Sequence, residues 1–211
     1  MSPALTRRSW TLYRAERRPA PPDGADRSTA RPGALELDWA EALTASLGAG
    51  WQLTRSEHGA PLLRHPPGAW LSRSHADGMD LLLLSRRGPV GIDVEARGRL
   101  LSPGVLGRLL GPAEAAWRDP TRPELAVLAW CAKEALTKAL GRGIAYGLQR
   151  LVLGAPPAAR SGLVRIRLAA ADGPAAQWRW RVVGHLGSDR VLVAAEALPL
   201  EGAPSGPIST G

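Results

Sequence analysis

One segment limits the fold more than any other. From Thr121 to Gly141 the chain reads TRPELAVLAWCAKEALTKALG, and Leu125, Leu128, Ala132, Leu136 and Leu140 recur at i, i+3 and i+4 spacing. That is the apolar stripe of a helix with one face on a core. Its ends are marked as well. Thr121 with Glu124 three residues on has the form of a capping box, Pro123 is tolerated in a first turn, and Gly141 follows the last apolar residue. Such a helix needs an apolar surface to cover, and short strands on either side can provide it. Upstream, residues 9–15, 51–64, 69–75, 79–85 and 90–96 have strand character, broken by turn residues such as Asp77-Gly78 and Arg86 to Pro89. They read as a small antiparallel sheet ending near Ala96, with a helix over 37–48 carrying Leu37, Ala40, Leu43 and Leu47 and stopped by Gly48. Downstream of a short helix at 103–118 and the long one come four more strands. In one of them Trp178 and Trp180 alternate with Arg179 and Arg181, as in a sheet with one face buried.

Composition narrows the classes further. With 211 residues, 45% hydrophobic and 22% charged, the chain is globular. A net charge of +8 and a pI of 11.0 would ordinarily suggest nucleic acid or an anionic surface. Here the signal is discounted: there is no Asn and no Phe, and of 27 basic residues only Lys133 and Lys138 are lysine. The bias is that of a GC-rich coding sequence, and the arginines are scattered rather than clustered. The lone Cys131 excludes an intramolecular disulfide and a CxxC metal site. The first residues lack the apolar core of a secretion signal, and the aliphatic run Leu81 to Leu84 is far too short to span a bilayer. A cytoplasmic protein with no membrane association is expected.

Chemistry concentrates in two places. In Gly91-Ile92-Asp93-Val94-Glu95, strand alternation puts Asp93 and Glu95 on one face, about 7 Å apart. Two carboxylates so placed repel unless solvent screens them or a cation lies between, which makes a half-site for a hard divalent ion. On the helix, Glu134 and Lys138 stand at i and i+4 on one flank. If that flank faces the strand, three carboxylates and an ammonium suit a magnesium diphosphate. An ammonium is a compact point charge and a guanidinium a broad planar fork. A composition drifting to arginine would keep lysine only where that difference matters. Each motif alone is ordinary: a Glu/Lys pair is common on exposed helices, and a DxE on a strand is usually a solvated face. Their combination is not.

GIDVE followed by WCAKEALTKALGRG strongly resembles the paired signature of the Sfp-type 4′-phosphopantetheinyl transferases, a G-[IV]-D-x-E strand and then a W-x-x-K-E-A-x-x-K helix with a glycine-rich exit. Ser72-Arg73-Ser74-His75 is similar to the family's N-x-S-H segment, and His58-Gly59-Ala60-Pro61 stands at its G-K-P turn. The resemblance runs from about residue 58 to 143. It implies an α/β fold (α+β in layer terms) of two similar halves in pseudo-twofold arrangement, each a small, mainly antiparallel sheet packed with a long helix. The halves would be residues 1–96 and 97–198, with 199–211 a disordered tail. It implies that Asp93, Glu95 and Glu134 hold Mg2+ (or Mn2+) on the diphosphate of coenzyme A, the co-substrate. Lys138 would contact the diphosphate, Ser74 and His75 would bind coenzyme A phosphate oxygens, and Lys133 would be a secondary substrate contact. Glu114 would be the general base for the acceptor serine of an apo acyl or peptidyl carrier protein, which attacks the β-phosphate as 3′,5′-ADP departs. Two positions depart from the pattern. Ser72 replaces an asparagine and Ala60 a lysine, so contacts to the 3′-phosphate or adenine fall to arginines, Arg27 and Arg31 being candidates. Cys131 is expected to pack inside the helix, and the protein to be a monomer.

Two other classes stay open at this point. A nucleic-acid module would account for the pI, but WRWR is the only aromatic-interleaved basic stretch and it fits a half-buried strand. A transferase fold without activity, kept as a carrier-protein scaffold, is the nearer rival. The clustered carboxylates oppose it, because a binding protein gains little from them.

Overall fold

The structure, a computed structural model, describes residues 3–6, 10–16, 34–55 and 61–199. In chain order these form β1 (Pro3–Thr6), β2 (Trp10–Glu16), α1 (Ala34–Leu47), β3 (Gln52–Arg55), β4 (Pro61–His65), β5 (Trp70–Ala76), β6 (Met79–Ser85) and β7 (Val90–Ala96). Then follow α2 (Pro103–Leu109), a 3₁₀ turn (Pro112–Arg118), α3 (Glu124–Ala139), β8 (Leu151–Leu153), β9 (Gly162–Ile166), β10 (Leu168–Ala171), β11 (Trp178–Leu186) and β12 (Arg190–Pro199).

The leucine run in β6 explains the layering. A strand buried on both faces reads as a continuous apolar run. Leu82 and Leu84 pack with Tyr13 and with Trp39, Ala42 and Leu43 of α1. Leu81 and Leu83 point the other way, against Val90, Ile92 and Val94 of β7. The first sheet, ordered β1-β2-β6-β5, is therefore covered by α1 outside and by a second sheet inside. The second sheet, ordered β7-β12-β11-β9, is covered on its far face by α3, whose Leu125, Leu128, Ala132 and Leu136 join Val164, Val182, Val191 and Val193 in the largest core. All the strand pairings among the described residues are antiparallel. This is the expected α+β fold, two four-stranded sheets each backed by a long helix. The hairpin β3-β4 and the pair β8-β10 are small additions.

Two readings need correction. The strand holding Asp93 and Glu95 does not close the first sheet. It pairs with β12 from Val90↔Glu196 to Ala96↔Arg190, so the second sheet starts at Val90 and not after Ala96. Periodicity marks which faces of a strand are buried but not which strand lies beside it. The capping box at Thr121 is also absent: the Thr121 hydroxyl donates to Asp119, and α3 begins at Glu124 without a side-chain cap. Positions 200–211, most of the expected tail, lie outside the described residues, as do Arg27, Arg31 and His58 to Ala60.

The free edge of β7 is finished by serines. The Ile92 N–H donates to Ser72 Oγ (3.1 Å) and the Val94 N–H to Ser74 Oγ (3.3 Å). Hydroxyls of β5 thus satisfy buried donors that a backbone ladder would otherwise satisfy, and they tie the two sheets together at this corner. On its other face β7 lies directly under α3. A Cβ at Gly91 would stand 1.7 Å from the Ala135 carbonyl oxygen and 2.8 Å from the Ala139 nitrogen. Only glycine allows this approach, and backbone atoms cannot swing aside as a side chain would. Gly91→Ala is expected to cost about 3 kcal/mol or more, the upper end of overpacking, measured as a fall in the guanidinium midpoint. Gly98→Ala, at a site open to solvent, is the near-neutral control.

Candidate active site

The close approach at Gly91 sets what comes next along β7. The strand and α3 run in opposite directions, so Gly91 lies by Ala135 and Ala139 while Asp93, on the same face, meets the flank bearing Glu134 and Lys138. Asp93 is 5% exposed. Its Oδ1 accepts from Lys138 Nζ at 2.7 Å and from Ser74 Oγ at 2.8 Å. Its Oδ2 has no hydrogen-bond partner, and neither has Oε1 of Glu134, which is 8% exposed. A buried carboxylate oxygen without a donor is costly and unusual. Burial, and then the charge of Asp93, raise the Glu134 carboxyl above its ordinary pKa, with Lys138 and Arg99 partly opposing the shift.

Lys138 answers why lysine persists in this arginine-rich chain. Its ammonium donates in three directions, to Asp93, to Ser74 Oγ (3.2 Å) and to the Ile92 carbonyl (3.2 Å). A tetrahedral point donor can serve three acceptors gathered around it, whereas a planar fork cannot occupy the same space. Lys133 is enclosed even more completely. It is 0% exposed and donates to the Leu109 carbonyl (2.6 Å) and to Glu114 Oε2 (2.8 Å).

That pairing revises two expected roles. Glu114 receives three hydrogen bonds, from Lys133, from the Gly111 N–H (3.0 Å) and from the Leu153 N–H (2.8 Å), and its side chain has no exposed surface. A carboxylate so saturated is not free to take a proton from a substrate serine, and Lys133 is equally shielded from any substrate. The pair ties α3 to α2, the 3₁₀ turn and β8. Burial lowers the Lys133 pKa, opposed by the hydrogen bond and charge of Glu114.

The remaining expected residues divide. Ser74 belongs to the cluster, where it orients Asp93. His75 is exposed and, by strand alternation, on the opposite side of β5 from Ser74. Cys131 is buried and its thiol is pushed well up, first by burial and then by Asp93, so it packs rather than reacts, as expected. Glu95 faces α3 but is ion-paired with Arg99, whose guanidinium lies 4.9 Å over the Trp130 ring. Sequence reading missed Arg99. The available signals were its position four residues after Glu95 and the place of Trp130 four residues before Glu134 on one helix flank.

Among the described residues no three His, Cys, Asp or Glu side chains converge as a metal centre would need. The oxygen donors of Asp93 and Glu134 nevertheless fit a hard divalent cation. Each carboxylate carries one buried oxygen without a hydrogen-bond partner, their charges act on one another, and a cation between them would relieve both. Glu95 fits only if it leaves Arg99.

Residues 89–195, just over half of the chain, match the family model described as the 4′-phosphopantetheinyl transferase superfamily. The match begins just before β7 and ends within β12, enclosing Asp93, Glu134 and Lys138. The chain belongs to this superfamily and is a transferase of the phosphopantetheinyl class. A comparison with curated proteins gives no match. Among the described residues no helix is long and apolar enough to cross a membrane.

Two outcomes are expected. Glu114→Ala leaves the Lys133 ammonium buried and unpaired, and should cost about 3 to 5 kcal/mol in chemical denaturation. The double variant Glu114→Leu with Lys133→Met should regain most of that. The second outcome concerns Glu134. A carboxyl with a raised folded pKa contributes stability that is full below its ordinary value and is lost as pH rises through the raised one. Without divalent cations, Glu134→Gln should therefore melt above wild type at pH 7, with the gap closing toward pH 4. Added Mg2+ should raise the wild-type melting temperature at pH 7 and not that of Glu134→Gln.

Proposed function

We propose that the protein is an Sfp-type 4′-phosphopantetheinyl transferase that uses coenzyme A to convert apo acyl or peptidyl carrier proteins to their holo forms. The observation that carries this reading is the pair of buried, unpartnered carboxylate oxygens on Asp93 and Glu134 beside the Lys138 ammonium. A carboxylate pair held out of water invites a cation, and an adjacent ammonium invites a polyanion. A magnesium diphosphate satisfies both demands.

The reaction joins the carrier serine oxygen to the β-phosphorus of coenzyme A, breaks the bond from that phosphorus to the 3′,5′-ADP oxygen, and releases the serine proton. Asp93 and Glu134, with Glu95 once freed, would hold Mg2+, which when bound supplies charge neutralisation on the diphosphate oxygens. Lys138 adds a fixed positive charge beside Asp93. Ser74 and the Ile92 carbonyl keep its ammonium in place, so little reorganisation is needed as charge builds on the leaving oxygen. Because Glu114 is sealed, the serine proton passes to a group at the site or to water. Positioning and electrostatics are enough for phosphoryl transfer of this kind.

The test is intact-mass spectrometry of apo carrier proteins from fatty acid, polyketide and nonribosomal peptide systems, each incubated with the protein, coenzyme A and Mg2+. Gain of one phosphopantetheine, abolished by a chelator, is expected and identifies the preferred carrier. Asp93→Ala should show no transfer while still folding. Lys138→Arg, which keeps the charge but not the three-way donor geometry, should fall at least about tenfold, one lost charge-assisted hydrogen bond or more. No gain on any carrier, with coenzyme A still bound, would identify an inactive scaffold. Full activity in Lys138→Arg would refute the role given to the ammonium.

A further inference from the structure

A second cation stands near these carboxylates. Trp130, Glu134 and Lys138 stand at i, i+4 and i+8 and so form one flank of α3. The facing residues of β7 meet this flank in reverse order, Asp93 at Lys138 and Glu95, through Arg99, at Trp130. Arg99 comes from the turn after β7. Its guanidinium pairs with Glu95 and stacks on Trp130, and its charge reaches Glu134 and Cys131 as well. Glu95 is thereby drawn to Arg99, whereas Asp93 and Glu134 are left with unpartnered oxygens.

We propose that Arg99 is a built-in counter-ion that competes with the divalent cation for Glu95, holding the third carboxylate in reserve until the metal displaces it. This rests on the metal-dependent reading above and adds a positioning residue to it. A guanidinium and a divalent cation cannot both sit close to one carboxylate without strong like-charge repulsion. The Trp130 ring supplies a second hold on Arg99, through cation–π attraction and contact area, which keeps the arginine in place after Glu95 is released. Finally, several carboxylates gathered in one place need their charge offset, and Lys138 is ion-paired with Asp93 while opposing the shift at Glu134 only in part. The consequence is a metal affinity deliberately below what three free carboxylates would give, with Arg99 setting the level.

The test is titration of the full-length protein with Mn2+, following the free-ion electron paramagnetic resonance signal without coenzyme A. Arg99→Met, which keeps apolar cover on Trp130, and Arg99→Gln, a second neutral variant, should each bind Mn2+ about tenfold more tightly than wild type. Arg99→Lys should stay near wild type. Most of the gain should vanish in the Glu95→Gln background, which separates competition for that carboxylate from a general change of charge. Asp93→Asn should abolish the binding in every background. Equal or weaker Mn2+ affinity in both neutral variants overturns the proposal, as does a gain that persists undiminished with Glu95→Gln. If Asp93-dependent binding is seen but Arg99 does not alter it, only this inference fails. If no Asp93-dependent binding is seen in any variant, the metal-dependent reading fails with it.

Discussion

Direct contact between the backbone of α3 and the backbone of β7 is the constraint from which the rest of the molecule follows. With no side chain at Gly91, the helix settles onto the strand, and the next residue on the same face, Asp93, is carried under the helix flank. A strand trapped in this way needs partners on both edges and both faces. β12 takes one edge, the serine hydroxyls of β5 take the other, Ile92 and Val94 fill the space between the sheets, and α3 closes the last side. The site is thus built on regular elements fixed from four directions, the kind of support that holds reacting groups within fractions of an ångström.

The electrostatics follow from that burial. Most of α3 is enclosed, including Glu124, Lys133, Glu134 and Thr137, although its sequence shows a single apolar stripe. Charges on such a helix must be paired or must bind something. Lys133 is paired outright with Glu114 in a dry setting that contributes to structure. Glu134 and Asp93 are not fully paired, and each bears on the other's charge. Lys138 and Arg99 offset part of that charge. Two lysines survive in a chain that otherwise uses arginine because both ammonium groups sit where a guanidinium would not fit its surroundings.

How much of this could be read from the residues alone depended on the range of the interactions. The long helix and most strands were legible because their periodicity is local, and Gly141, at φ +69°, ends the helix where its position suggested. Asp93, Glu134 and Lys138 were legible because their types and spacing carry the chemistry. The pairing of β7 with β12 was not, since the partners lie about 100 positions apart and either face pattern fits several neighbours. Glu114 misled for a related reason. In Pro112-Ala113-Glu114-Ala115-Ala116 it resembles a surface residue, and only the convergence of Gly111, Leu153 and Lys133 from three elements shows that it is interior. Arg99 escaped notice because an ion pair to Glu95 and a ring contact to Trp130 require the fold before either has meaning.

The orphaned oxygens of Asp93 and Glu134, with Lys138 beside them, are the proposed seat of a divalent cation and the diphosphate of coenzyme A. The most direct measurement is a crystal structure of the protein grown with coenzyme A and Mn2+, with the metal located by anomalous scattering. The expected result is an anomalous peak bonded to both carboxylates, diphosphate oxygens completing its shell, and the Lys138 ammonium at the same diphosphate. A peak elsewhere, or a diphosphate bound away from Lys138 with the two carboxylates uninvolved, would contradict it.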